Sequence, residues 1–213
     1  MKQPWAHTSL SAFRNCPKQY YHKYVLKDIP FVKSPEMERG IAVHQAMERR
    51  LRDNVPLPID MPFERFVAPL VKHAPPRIEY KIAVRLDGSG CGYWDKDVWG
   101  RGAIDVACIG PTTAMIVDWK TGKPREDPAE LETFSFLLQG HFPGMNEFYG
   151  LYVWLKDGRA GETHKLDPAK ARKDIEKTVN EIEHCESKEA WHPQPSGLCP
   201  WCPVTTCQHW RPR

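Results

Sequence analysis

Seven residues near the middle of the chain, Ala114-Met115-Ile116-Val117-Asp118-Trp119-Lys120, constrain its fold more than any other stretch. The run is apolar and reads as a strand, yet Asp118 and Lys120, two apart, must share one of its faces. Burying both charges is costly unless each is used. The chain therefore needs a sheet with a strand that ends on a polar site. Two further runs can build it. Ile78, Tyr80, Ile82, Val84 and Leu86 alternate with Glu79, Lys81 and Arg85 and are closed by the turn Asp87-Gly88-Ser89-Gly90, and Trp99 to Ile109 reaches the 114–120 strand through Gly110-Pro111-Thr112-Thr113.

The helices frame this sheet. Residues 8–27 carry Leu10, Phe13, Tyr20 and Tyr24 at near-helical spacing, broken at Pro17, which predicts two short helices. Ser34-Pro35 is a helix start, and Met37, Ile41, His44, Met47 and Leu51 lay a stripe along a helix ending near Asp53. The Pro-rich passage from Pro56 to Pro76 predicts a loop with a short helix at 63–73. Further expectations are a helix from about Pro128 to His141, a strand from about Phe148 to Lys156, and a helix from Pro168 to Glu186 that buries Ala171, Ile175, Thr178, Val179 and Ile182. The fold class is α/β, a central mixed sheet flanked by helices.

At 213 residues, with 41% hydrophobic residues and a net charge of +3, the chain suits one domain with a real core. No apolar run approaches the roughly 18 residues of a membrane span, and the start leads into no secretory signal, so a cytoplasmic, non-membrane protein is expected. Near-balanced charge excludes blanket attraction to nucleic acid and leaves local patches: Arg49, Arg50 and Arg52; Lys170, Arg172 and Lys173; Lys18, Lys23 and Lys27. Tyr20, Tyr21, Trp5 and the tail tryptophans have spacing that suits base stacking and core packing equally.

Asp105 on the neighbouring strand can be brought opposite Asp118. Two carboxylates that converge repel each other unless a cation lies between them, and the natural occupant is Mg2+ or Mn2+. A lysine beside such an ion can orient or deprotonate an attacking water. Acid-x-Lys triplets arise about twice by chance at this composition, so the company of Asp118-Trp119-Lys120 matters more than its spacing. The competing reading is an ion pair on a solvated strand edge.

Seven cysteines without a signal argue against disulfides. Three of them form Cys199-x2-Cys202-x4-Cys207, metal-ligand spacing that needs a fourth thiolate, and that spacing suits zinc and iron–sulfur alike.

Gly102-x-x-Asp105, then Val117-Asp118-Trp119-Lys120-Thr121-Gly122, preceded by Gly40-x3-His44 on a helix and Glu79 on a strand, resembles the RecB-like branch of the PD-(D/E)XK nucleases. The opening Ser9-Leu10-Ser11-x-Phe13-x-x-Cys16-Pro17-x-x-Tyr20 and the three terminal cysteines are similar to its iron–sulfur members, among them CRISPR-associated and phage exonucleases. The resemblance implies a restriction-endonuclease-like core. It implies that Asp105, Asp118 and the Trp119 carbonyl hold the catalytic metal, that His44 is a further ligand, that Lys120 serves the water, and that Glu79 takes the acidic position on the first strand. It also implies a 4Fe–4S cluster on Cys16, Cys199, Cys202 and Cys207 that joins the two ends of the chain, with zinc as the alternative and Cys185 and His209 as substitute ligands. The family's Gln-Leu-x-x-Tyr helix departs here to Glu130-Leu131-Glu132-Thr133-Phe134, with Gln139 farther along as a substitute.

The expected function is metal-dependent DNA exonuclease activity on single-stranded or duplex ends, with endonuclease activity open. The setting would be a bacterial cytoplasm, or a phage protein acting there, with a helicase or recombination partner. The alternative is a DNA-binding or assembly subunit that keeps the fold and cluster and cuts poorly. The expected organisation is a single nuclease domain over 1–213: a helical segment over 1–76, a catalytic sheet over 77–190 and a Cys-rich tail over 191–213.

Overall fold

The computed structural model describes residues 3–70, 76–125 and 127–211. The chain forms two compact units, one of residues 33–172 and one of residues 1–32 with 173–213. The helices are α1 (His7–Asn15), α2 (Pro17–Tyr20), α3 (Pro35–Asp53), α4 (Glu64–Val67), α5 (Ala129–His141) and α6 (Pro168–Lys188). The strands are β1 (Arg77–Val84), β2 (Gly90–Cys91), β3 (Gly100–Ile109), β4 (Thr113–Lys120), β5 (Glu147–Trp154), β6 (Arg159–Ala160) and β7 (His164–Leu166).

In the unit of residues 33–172 the strands form one sheet in the order β2-β1-β3-β4-β5-β6, with β7 also on β5. All pairs are antiparallel except β4 with β5. A parallel pair cannot be closed by a hairpin, so the chain crosses over through α5. The mixed sheet flanked by helices is the expected class. The short β2, β6 and β7 were not legible, because two or three residues carry no periodicity.

Ser34 Oγ accepts from the Met37 amide at 3.2 Å and caps α3, and Pro35 occupies its first turn. The expected stripe is corrected, however. Val43, Ala46 and Met47 are buried, packing with Val106, Val117, Trp119 and Val153, while Met37 and Ile41 are each 41% exposed. Only the C-terminal half of α3 lies on the sheet core, and its N-terminal half borders an open cleft. Leu86, expected in β1, is likewise exposed because the strand ends at Val84 and turns. The helix expected at 63–73 is the single turn of α4, and residues 71–73 of that expectation lie outside the described residues.

A regular strand returns to the same face every second residue, but β3 does not. A side chain at Gly102 would meet Phe134 and Leu137 of α5, whereas Val106 packs in the cluster of α3. The change of face falls at the row of Glu79 and Asp105, where Glu79 adopts the left-handed φ of 48°. The register that pairs Ile78 with Val106 and Tyr80 with Ile104 places these two acids directly opposite each other.

The unit of residues 1–32 and 173–213 is held by side chains at long sequence separation. Arg14 donates through Nε to Thr178 Oγ1 at 2.9 Å and through Nη2 to the Asp174 carbonyl at 3.0 Å. Trp191 stacks on Tyr20 and Tyr21 at centroid distances of 5.7 and 5.3 Å. Trp5 is wholly buried and Tyr20 nearly so, which removes both from the expected base-stacking set. After α2 the chain continues into a π-helical segment, Tyr21–Leu26. The expected face of α6 is buried throughout: Ala171, Ile175, Thr178, Val179 and Ile182.

Gly140 tests the packing of α5. On helix propensity alone, alanine should be better there by about 1 kcal/mol. A Cβ at Gly140 would instead lie 2.4 Å from the Gly88 carbonyl oxygen and 2.7 Å from Val84 Cγ1. Gly140→Ala is therefore expected to destabilise by about 1–3 kcal/mol in urea unfolding, while Gly144→Ala, with open space around it, leaves the midpoint nearly unchanged.

Candidate active site

The site forms where β3 and β4 separate. Their ladder runs from Ile109↔Ala114 to Val106↔Val117 and stops one pair short of Asp105 and Asp118. Asp105 Oδ2 accepts the Trp119 amide at 2.8 Å, taking the place of a ladder carbonyl and fixing its carboxylate at the seam. Asp105 Oδ1 lies 3.3 Å from His44 Nδ1. One ligand atom each from His44, Glu79 and Asp105 falls within 4.8 Å of the others, close enough to hold one ion.

A cleft of about 560 Å³ opens over this triad, lined by Glu36, Met37, Ile41, Glu48, Ala103 and Thr121 among others. Gly40, one turn before His44, brings α3 so close to the end of β4 that a Cβ would meet Thr121 Oγ1 at 3.1 Å. The Gly40-x3-His44 spacing thus has a steric cause. Burial opposes protonation of His44, but the hydrogen bond and charge of Asp105, with Asp118 and Glu79, outweigh it and raise its pKa. Burial, then the charge of Asp105, raises that of Glu79.

Asp118 occupies a different position. It is 5% exposed, and its Oδ2 lies 2.7 Å from Lys120 Nζ without an aligned hydrogen-bond donor. Lys120 Nζ donates to Glu130 Oε2 of α5 at 2.6 Å and lies 5.2 Å from the Tyr152 ring centroid. Burial drives the Asp118 pKa up to about 7 against the pull of Lys120. Burial also works against the lysine, yet Asp118 and Glu130 prevail and hold its ammonium charged. Tyr152 donates its hydroxyl to the Asp127 carbonyl at 2.9 Å and closes the row from the β5 side.

The model of the PD-(D/E)XK nuclease superfamily matches residues 4–99, which include His44 and Glu79. The chain matches the PD-(D/E)XK nuclease superfamily. Among solved structures, the protein SSO0001 is 14% identical with a TM-score of 0.56, covering 99% of this chain and 89% of its own. A candidate exonuclease from Eubacterium rectale is 10% identical with a TM-score of 0.55, covering 94% and 87%. At these identities the likeness is one of fold, and it extends over nearly the whole chain, giving the sheet and its helices the restriction-endonuclease-like architecture. No protein of curated function matches the sequence.

Of the residues singled out in sequence, the structure brings His44, Glu79 and Asp105 within reach of one ion and sets Asp118 and Lys120 beside them as an ion pair. Glu130 completes that pair, and only the fold reveals it. Gln139 is exposed, more than two turns of α5 from Glu130, and is not brought to the acids. Several expected phosphate contacts are already engaged: Arg50 with Glu64, Arg52 with Glu48, Lys170 with Glu132, and Arg172 with the carbonyls of Leu86 and Asp87.

An acid whose pKa is raised by folding contributes fully to stability below its unfolded value, near 3.8, and loses that contribution as pH rises through about 7. Asp118→Asn removes the buried charge. In EDTA its melting temperature should exceed that of the wild type by more at pH 8 than at pH 5, read by scanning fluorimetry. A pH-independent difference would show that the folded-state carboxyl does not titrate near 7.

Proposed function

We propose that the chain is a metal-dependent DNA nuclease of the PD-(D/E)XK type, acting as an exonuclease on single-stranded ends. The convergence of His44, Glu79 and Asp105 at a sheet seam, with Lys120 two residues beyond Asp118, carries the reading. These donors suit Mg2+ or Mn2+, hard ions that take carboxylate oxygens. Asp118 and the Trp119 carbonyl supply further oxygens at the same seam. Such an ion, when bound, lowers the pKa of water and stabilises charge on a phosphoryl oxygen.

The protein's own groups do the rest. Asp105 is held by the Trp119 amide through Oδ2, so its Oδ1, beside His44, is aimed into the cleft rather than mobile. Lys120, held charged between two carboxylates, is placed to donate a hydrogen bond. Its role is to orient the attacking water and to offset charge on the phosphate as the bond breaks. The acidic cleft repels DNA phosphates until cations fill it, so metal strengthens binding beside the triad as well as serving chemistry.

A second element of the proposal is a 4Fe–4S cluster on Cys16, Cys199, Cys202 and Cys207. All four thiols line one cavity of the unit of residues 1–32 and 173–213. The Gln194 and Ser196 amides donate to Cys16 Sγ and Cys199 Sγ at 3.4 and 3.3 Å, the kind of N–H···S bond that tunes cluster thiolates. Burial, together with the charge of the other three, raises the Cys202 pKa. Cys185 stands on α6 outside that cavity, while His209 lines it.

End-labelled single-stranded DNA with Mn2+ should be degraded by the wild type and not in EDTA. Asp118→Ala should lose at least about 10³-fold in rate and Lys120→Ala about 10²-fold, with Lys120→Ala still binding Mn2+ by calorimetry. Wild-type activity in Asp118→Ala would overturn the assignment. Inert wild-type protein that still binds DNA would favour the assembly-subunit reading. Anaerobically purified protein should be brown and hold about four iron atoms per chain. Cys199→Ser should lose iron, solubility and thermal stability before activity, because the cross-link spans 183 positions and on the chain-entropy model is worth roughly 5 kcal/mol. Stoichiometric zinc without iron would overturn the cluster alone.

A further inference from the structure

The face of β1 and β3 that carries the metal triad continues past it. Lys81 pairs with Ala103, and Ala83 with Arg101, so these residues share the face of Glu79 and Asp105. Ala103 lines the cleft itself. Gly102, between Ala103 and Arg101, faces α5, which places its two neighbours on the opposite side. Lys81 and Ala103 are exposed, so among the described residues no element covers the sheet there.

At the far end of this strip the 92–98 loop folds over the sheet. Ala83, Cys91 and Val98 form its buried base, and Trp99 N donates to the Val84 carbonyl at 2.9 Å. The Asp95 amide donates to the Gly92 carbonyl at 3.0 Å, making a tight turn. The turn presents Trp94 at 75% exposure, a large apolar side chain placed in water by a well-anchored loop. The Arg101 guanidinium sits 5.0 Å from the ring centroids of both Tyr93 and Trp94, and the Lys81 ammonium 5.9 Å from that of Tyr93. The two acids of the loop, Asp95 and Asp97, are turned onto Arg85. The remaining charge at this end is positive, from Lys81, Arg101 and the exposed Lys96.

We propose that Trp94, backed by Arg101 and flanked by Lys81, is a stacking platform for a base of single-stranded DNA whose phosphates run along the β1–β3 strip to the metal triad. Arg101 covers one face of the indole and the Tyr93 ring meets it edge-to-face at a centroid distance of 4.9 Å, which holds the ring in place, while its 75% exposure leaves indole surface for a base. Lys81 stands two residues from Glu79, about 7 Å along β1, and Arg101 four residues from Asp105, about 13 Å along β3. The platform is therefore a few nucleotides from the bond to be cut. A duplex buries its base faces in its own stack and offers none to Trp94, so the platform selects single strands. The occupant as DNA rests on the nuclease reading, while the stacking chemistry rests on the platform alone.

The test is the affinity of a fluorescein-labelled oligothymidine for the full-length protein in EDTA, by anisotropy at fixed salt. Trp94→Ala should weaken binding about ten-fold and Trp94→Phe by much less, since the smaller ring still stacks. The affinity for a blunt duplex of the same length should change less than two-fold. Hydrolysis of thymidine 5′-p-nitrophenyl phosphate with Mn2+, too small to span the strip, should be the same in wild type and Trp94→Ala. Unchanged oligothymidine affinity in Trp94→Ala would overturn the platform, and an equal loss on duplex would overturn its selectivity for single strands. A wild type that binds through Trp94 yet hydrolyses neither DNA nor the small ester would leave the platform standing and overturn the nuclease reading.

Discussion

Three carboxylates fall on one row of the sheet. Glu79 lies opposite Asp105 across β1 and β3, and the register of β3 with β4, continued by one pair, sets Asp118 opposite Asp105. Like charges directly opposed on neighbouring strands destabilise a sheet, and partial burial sharpens the repulsion. The chain answers it in two ways. Lys120, itself shared with Glu130, offsets charge at the Asp118 end, while the Glu79–Asp105 end has His44 and an open cleft. Burial is the main cause of the raised pKa values of Glu79 and Asp118, and the charge of Asp105 adds to it in both.

The surrounding architecture follows from keeping this row in place. The β3–β4 ladder stops at Val106↔Val117, and the Trp119 amide turns from a strand carbonyl to the Asp105 carboxylate. The parallel step to β5 requires the crossover helix α5, whose first turn delivers Glu130 to Lys120. On the other side α3 supplies Val43, Ala46 and Met47 to the core and His44 to the cleft from one stretch of helix, because neighbouring positions turn to different faces. Core packing and site geometry are thus made by the same few elements, so a change that shifts α3 or α5 by a fraction of an ångström alters both.

The unit of residues 1–32 and 173–213 solves a different problem. Its core is assembled from segments far apart in sequence, and forming it entails a large loss of chain entropy. Arg14 on the Thr178 turn, Trp191 on two tyrosines, and four thiols around one cavity all join the same two ends. Each is a long-range contact, and together they fix where the chain begins and ends its path.

Much of this was legible in sequence. Strands 3 to 5 and the long helices lie within a residue or two of their expected bounds, since each has a clear period and a recognisable start or stop. Asp105, Asp118 and Lys120 stood out because charges at the end of an apolar strand need a reason. Pairing register, helix rotation and turn geometry depend on contacts between distant residues, and there the sequence was silent or misleading. It put Met37 and Ile41 in the core, offered Trp5 and Tyr20 as stacking rings, and gave no sign that Glu130 would meet Lys120 or that Trp94 would stand over Arg101. Residue type and spacing determined which chemistry this chain can carry. Only the tertiary structure decided which groups face one another, because neither the face a helix turns to a sheet nor the point where two strands part is written in local periodicity.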